Sequence, residues 1–168
     1  MNRFATTWLS VALLLASACV QPAAQQEFQP AQLRDFPRGE LTIERAGGRD
    51  SFRIWYADTE ERSQQGLMWI RQLPRDYGML FPLDPPRELF MWMKNTYVPL
   101  DMLFYDSTGR ITHIHAGATP LSEAIIESSG KVSGVLEILA GEAQRRGIRI
   151  GDRLVTKGPR RAAISATP

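Results

Sequence analysis

Past Leu41 the apolar residues come in short runs, each cut by glycine, proline or a polar turn, and that punctuation argues against long helices. Leu41-Thr42-Ile43-Glu44 alternates, Ser51 to Tyr56 alternates more loosely, and Gly47-Gly48 lies between them, the pattern of a β-hairpin. Asp58 or Thr59 is placed to cap a short helix running through Gln65, with Glu60 and Glu61 in the first turn and Gly66 as its stop. Tyr77 to Phe81, bounded by Pro74 and Pro82, reads as a buried strand. Asp84-Pro85-Pro86 predicts a turn, because each proline removes a donor and restricts the residue before it. Leu89 to Met93 reads as a strand broken by Asn95-Thr96 and Pro99, and Asp101 to Asp106 with Ile111 to His115 forms a second hairpin around Ser107-Thr108-Gly109. Pro120 to Gly130 reads as a long loop and Val132 to Leu139 as a strand. A short helix after Gly141 closes at Gly147, and Gly151-Asp152 turns into a last strand, Arg153 to Thr156.

Strands therefore dominate. The expected fold is mainly β: a small closed or half-closed antiparallel β-barrel with one or two short helices, one of them plugging a side, since closure removes exposed sheet edges. No Gly-rich loop leads from a strand into a long helix, which argues against the parallel nucleotide-binding folds.

The start of the chain has a different character. Arg3 precedes an uncharged run from Phe4 to Ala18 that ends in small residues, the three parts of a signal peptide, and the run is shorter than the roughly 20 residues a membrane-spanning helix needs. Two exits fit. Leu15-Ala16-Ser17-Ala18-Cys19 resembles a lipoprotein processing site, with acylation at Cys19; Ala16-Ser17-Ala18 also has the small-x-small form of ordinary cleavage. Cys19 is the sole cysteine, and the Gln-, Ala- and Pro-rich stretch after it suits a tether. The expected organisation is a signal peptide at 1–18, a flexible tether at 19–32, one domain at 33–159 and a disordered basic tail at 160–168. The expected location is periplasmic, or membrane-anchored by lipid. With no second cysteine for a disulfide, the core alone must stabilise the domain.

Lys and Arg number 20 against 18 Asp and Glu, a formal net charge of +2, which is not the basic excess a nucleic-acid partner requires. The sequence holds no Gly-x-Ser-x-Gly elbow and no cofactor motif.

Gln65-Gly66-Leu67-Met68, Arg71, Leu73-Pro74, Gly78-Met79-Leu80-Phe81, Trp92-Met93-Lys94-Asn95-Thr96, Pro99-Leu100-Asp101, Leu136-Glu137, Ala140-Gly141 and Gly151-Asp152 follow one another in the order and spacing of the DUF192 family, which this chain resembles from about Leu41 to Thr156. The resemblance implies a small β-rich fold, found in many exported bacterial members, and supplies no activity. Met91 and Gly134 depart from it, each standing where an aromatic residue is common.

Trp92, Lys94, Asn95, Thr96, Asp101, Arg71 and Glu137 are the candidate ligand-binding residues, with Trp92 as a platform for a small polar ligand. Asn and Thr at a strand end also serve as plain turn residues. Asp101 and Glu137 are carboxylates in apolar strands, to be paired with Arg71 and Arg62 as buried ion pairs or, facing one cleft, to act as general acid and base on a glycosidic bond. His113 and His115, two apart on a strand, share a face and with Met91 and Met93 form a candidate copper site. The leading reading is a noncatalytic envelope accessory or binding domain whose partner is an envelope polymer, a small polar ligand or an envelope protein. Its rivals are an enzyme acting on an envelope polymer through Asp101 and Glu137, and a weak transition-metal carrier.

Overall fold

The computed structural model describes residues 27–158; the expected signal peptide, Cys19 and the basic tail lie outside them. Nine strands follow in order: β1 (Arg38–Arg45), β2 (Gly48–Tyr56), β3 (Tyr77–Arg87), β4 (Phe90–Met91), β5 (Leu100–Tyr105), β6 (Ile111–Ala118), β7 (Ile126–Glu127), β8 (Val132–Leu139) and β9 (Arg153–Thr156). Two short helices, α1 (Glu60–Gln65) and α2 (Glu142–Arg146), interrupt them. Among the described residues no helix is long and apolar enough to cross a membrane.

Seven strands form one sheet in the order β6-β5-β8-β3-β2-β1-β9, and β4 pairs with β7 apart from it. The sheet curls until its edges meet at one end, where Arg110 bridges Arg153 and Ile111 N–H donates to Asp152 C=O at 2.8 Å. A half-closed barrel results. Its enclosed face is filled from both edges, by Ile111 and Leu154, and from the strands between, by Leu41, Ile54, Leu80, Leu103 and Leu136, with Ala143 and Ile148 packed against them. The outer face carries a second core, in which Trp55, Met79, Met102 and Phe104 are covered by Leu67, Ile70, Leu73, Met93 and Val98. Strands β3, β5 and β8 are thus apolar on both sides, which explains their near-continuous apolar sequence.

The local signals act as the chemistry demands. Thr59 caps α1, its Oγ1 accepting from Arg62 N–H at 3.2 Å, and Gly66 ends the helix at a φ of 49°. Gly109 takes φ 80° in the β5–β6 turn. Four expectations change. The sheet is mixed, because β2 and β3 run parallel, with α1 on the crossover between them. β3 runs on through Asp84-Pro85-Pro86 to Arg87 instead of turning, and the prolines are accommodated where its register with β8 slips between Pro82 and Arg87. The expected strand from Leu89 shrinks to two residues. Residues 27–32, expected in the tether, pack on the domain: Phe28 meets Tyr77 edge-on at 5.5 Å, Glu27 pairs with Arg38 at 3.0 Å, and Gln32 C=O accepts from Gln65.

Gly134 shows how closely the two faces are filled. A Cβ there would run into Phe81 C=O and the Tyr105 hydroxyl, and its φ of 150° disfavours a side chain as well. Gly134→Ala is therefore expected to cost about 1–3 kcal/mol or more, measured as a lowered urea midpoint.

Candidate functional site

The segments covering the outer face also build a cleft. The turn from Met93 to Thr96 closes with Thr96 N–H donating to Met93 C=O at 3.0 Å, and Asn95 at φ 55° supplies the left-handed corner that asparagine tolerates. Asn95 and Thr96 are thus used as turn residues, while Trp92, Lys94 and the buried Thr96 also face the cleft. Trp69 N–H donates to Asn95 C=O, Leu121 N–H to Thr96 C=O, and Met93 N–H to Ser122 C=O, so three loops are laced together. Trp69 and Leu121 also hold positive φ, 63° and 62°, uncommon for such bulky residues. Around these loops Trp69, Phe90, Trp92, Leu121 and Ile125 leave large apolar surfaces exposed.

The inner cleft encloses about 80 Å³ between Gly66-Leu67-Met68, Phe81, Phe90-Met91-Trp92, Lys94 and Thr96, with Glu137 in its wall. It shares Ser63, Gln64, Phe81, Phe90, Met91 and Trp92 with a larger outer cleft of about 870 Å³. Four of the seven expected ligand residues, Trp92, Lys94, Thr96 and Glu137, are therefore brought together. Phe81, Phe90, Met68 and Gln64 are members that the sequence reading missed. One signal was present: Phe90 and Trp92 stand two apart, the spacing that puts both on one side of an extended segment.

Glu137 is the anomaly. Cross-strand pairing sets it in a row with Met79 of β3 and Met102 of β5, both fully buried, and its own exposure is 4%. Burial alone pushes its carboxyl up to about 8. No cation or hydrogen-bond donor among the described residues offsets that. Two other buried carboxyls are treated differently. Glu142 is gripped by Arg145 and, at 3.0 Å, by Arg146, which hold it below the usual carboxylate range.

Asp101 is satisfied by backbone: Oδ1 accepts from Gly117 N–H at 2.9 Å and Oδ2 from Ala143 N–H at 3.0 Å. The first bond bridges a register slip between β5 and β6. The second caps α2 from another strand, because the residue at the cap position, Gly141, has no side chain to do it.

Several expected partnerships fail on register. Asp101 pairs with Ile138 and Glu137 with Met102, so the two carboxyls project from opposite faces of the sheet and share no cleft. The expected arginine mates are engaged elsewhere: Arg71 lies over the Tyr97 ring at 4.6 Å and Arg62 bonds Asp58 at 2.6 Å. His113 and His115 do share a face, but His113 stacks on Phe104 at 5.6 Å and Met93 is core. Among the described residues no three His, Cys, Asp or Glu side chains stand together to hold a metal.

Fold and cleft together define a small half-barrel domain with a carboxyl-based pocket on its outer face. Residues 42–156 match the model of the DUF192 family, described as "Uncharacterized ACR", and the chain belongs to that family. It is similar to the crystal structure of a candidate transcription regulator from Sinorhizobium meliloti 1021, at 43% identity and a TM-score of 0.71, over 73% of this chain and 95% of that one. A protein of unknown function from Novosphingobium aromaticivorans DSM 12444 aligns at 32% identity and a TM-score of 0.69, over 77% of this chain and 99% of that one. No curated protein matches the sequence.

Two outcomes follow. The folded state binds a proton at Glu137 more tightly than the unfolded chain, whose glutamate ionises near 4.5. Stability is therefore full below that value and falls as pH rises toward about 8, by up to about 1.4 kcal/mol per pH unit. Glu137→Gln should flatten that fall and raise the melting temperature near pH 8, measured by thermal unfolding across pH. Asp101→Ala should instead destabilise by about 1–3 kcal/mol, since the buried Ala143 N–H loses its acceptor and the exposed Gly117 N–H can turn to water, with Asp101→Asn intermediate, measured by urea titration.

Proposed function

We propose that the chain is an exported envelope protein whose folded domain binds a ligand in the cleft beside Glu137 and performs no chemistry on it. The observation that carries this reading is the unpartnered, almost fully buried carboxyl opening into a cleft walled by Phe81, Phe90 and Trp92. A binding site tolerates such a group because the ligand supplies the missing partner. Export rests on the basic, apolar and small-residue order of residues 3 to 18, and attachment to a membrane on acylation of Cys19. An enzyme using Asp101 and Glu137 as a pair is opposed by the sheet lying between them and by the two backbone bonds that occupy Asp101. The regulator description of the Sinorhizobium protein does not carry over readily, since a net charge of +2 gives little of the electrostatic attraction that DNA binding needs.

The test is native mass spectrometry of the full chain purified from its own envelope fraction. A retained small molecule, lost in Trp92→Ala, is expected; an empty wild-type protein would count against a tightly held ligand. Cys19→Ala should move the protein from the membrane to the soluble fraction, and unchanged membrane association would contradict the lipid anchor.

A further inference from the structure

We propose that the group seated beside Glu137 is an organic cation, a primary ammonium on an alkyl stem, which enters through the outer cleft and ion-pairs with the Glu137 carboxylate. This rests on the reading of the cleft as a ligand seat. Three observations select a cation over a neutral polar group. In the outer cleft Asp58 is already paired with Arg62 at 2.6 Å, which leaves Glu60 and Asp84 against Arg87, so the approach keeps a small negative excess. The inner walls are aromatic rings and the Met68 and Met91 thioethers, polarisable surfaces that suit a cation and its alkyl stem. Trp92 already receives one ammonium, that of Lys94, 5.1 Å from its ring centroid. Lys94 is itself exposed, so solvent and salt screen its charge from an incoming cation. The inner volume of about 80 Å³ admits a head group and a few carbons, with the remainder of the ligand in the outer cleft.

The proton balance is simple. Empty, Glu137 is a neutral acid; on binding, its O–H proton leaves to solvent and the carboxylate accepts hydrogen bonds from the ammonium, which keeps its charge. The groups facing Glu137 from the elements packed on it are few. Met79 and Met102 flank it on β3 and β5, Gln64 and Gln65 face the cleft from α1, and Lys94 is the charged group on the loop after β4. His115 shares its side of the sheet two strands away, paired with Met102. Glu137 is thus the group whose ionisation is linked to binding.

The experiment is an NMR titration of the full chain with n-pentylamine, 1-pentanol and N-acetylglucosamine, following the Trp92 indole N–H. The amine should bind at least about tenfold more tightly than the alcohol, with affinity rising toward tenfold per pH unit from about pH 6 to about pH 8, as expected when one proton is released. Glu137→Gln, which keeps the shape and removes the charge, should lose that preference and its pH dependence. Equal binding of amine and alcohol, or an unchanged Glu137→Gln, overturns the proposal. A Trp92 shift with N-acetylglucosamine alone would overturn the cation while leaving the cleft as a ligand seat; no shift with any of the three would overturn both.

Discussion

Three adjacent strands, β5, β8 and β3, are covered on both faces, and this double burial governs the rest of the molecule. On the covered stretches, β5, β8 and residues 77–81 of β3, a polar side chain has little water to fall back on and needs a partner inside. Asp101 meets the condition with two backbone N–H groups, and in doing so ties β5 to β6 and to the start of α2, the helix packed against the enclosed core. Glu137 does not meet it. Held between Met79 and Met102, it keeps its proton at neutral pH, and its one outlet is the cleft.

The cleft in turn depends on loops held in costly conformations. Trp69, Asn95 and Leu121 each take the left-handed backbone region, at about 1–2 kcal/mol for a residue other than glycine. Backbone hydrogen bonds between the loops keep them there. The cost falls where the apolar surface is exposed and not where the core is made. Strained loop positions lie next in sequence to the cleft residues Met68, Lys94 and Thr96, and exposed Phe90 and Trp92 line the cleft itself, the pattern of a surface shaped for contact rather than for stability.

Local chemistry made much of the fold readable in the sequence. The Thr59 cap, the Gly66 stop, the Gly109 turn and the alternation of β1 depend on neighbours a few residues apart. Register and direction do not. Whether Asp101 and Glu137 face together is decided by pairing Asp101 with Ile138, across 37 residues of chain, and a shift of one residue would have reversed the answer. The parallel β2–β3 pairing was hidden in the crossover through α1, and Arg71 found an aromatic ring instead of a carboxylate. Trp92, Lys94, Thr96 and Glu137 were legible as candidates because unusual side chains stand out in apolar strands. Phe81 and Phe90 were not, because an aromatic residue in a β-rich chain reads first as core.

The cleft's chemistry turns on the protonation of one side chain. Carbon-13 NMR of the Glu137 carboxyl, assigned by comparison with Glu137→Gln, measures it directly across pH. The prediction is a neutral acid at pH 7 that titrates near 8; titration in the ordinary glutamate range, near 4.5, would show that Glu137 is hydrated or paired, and the cleft would lose the feature on which its function is argued.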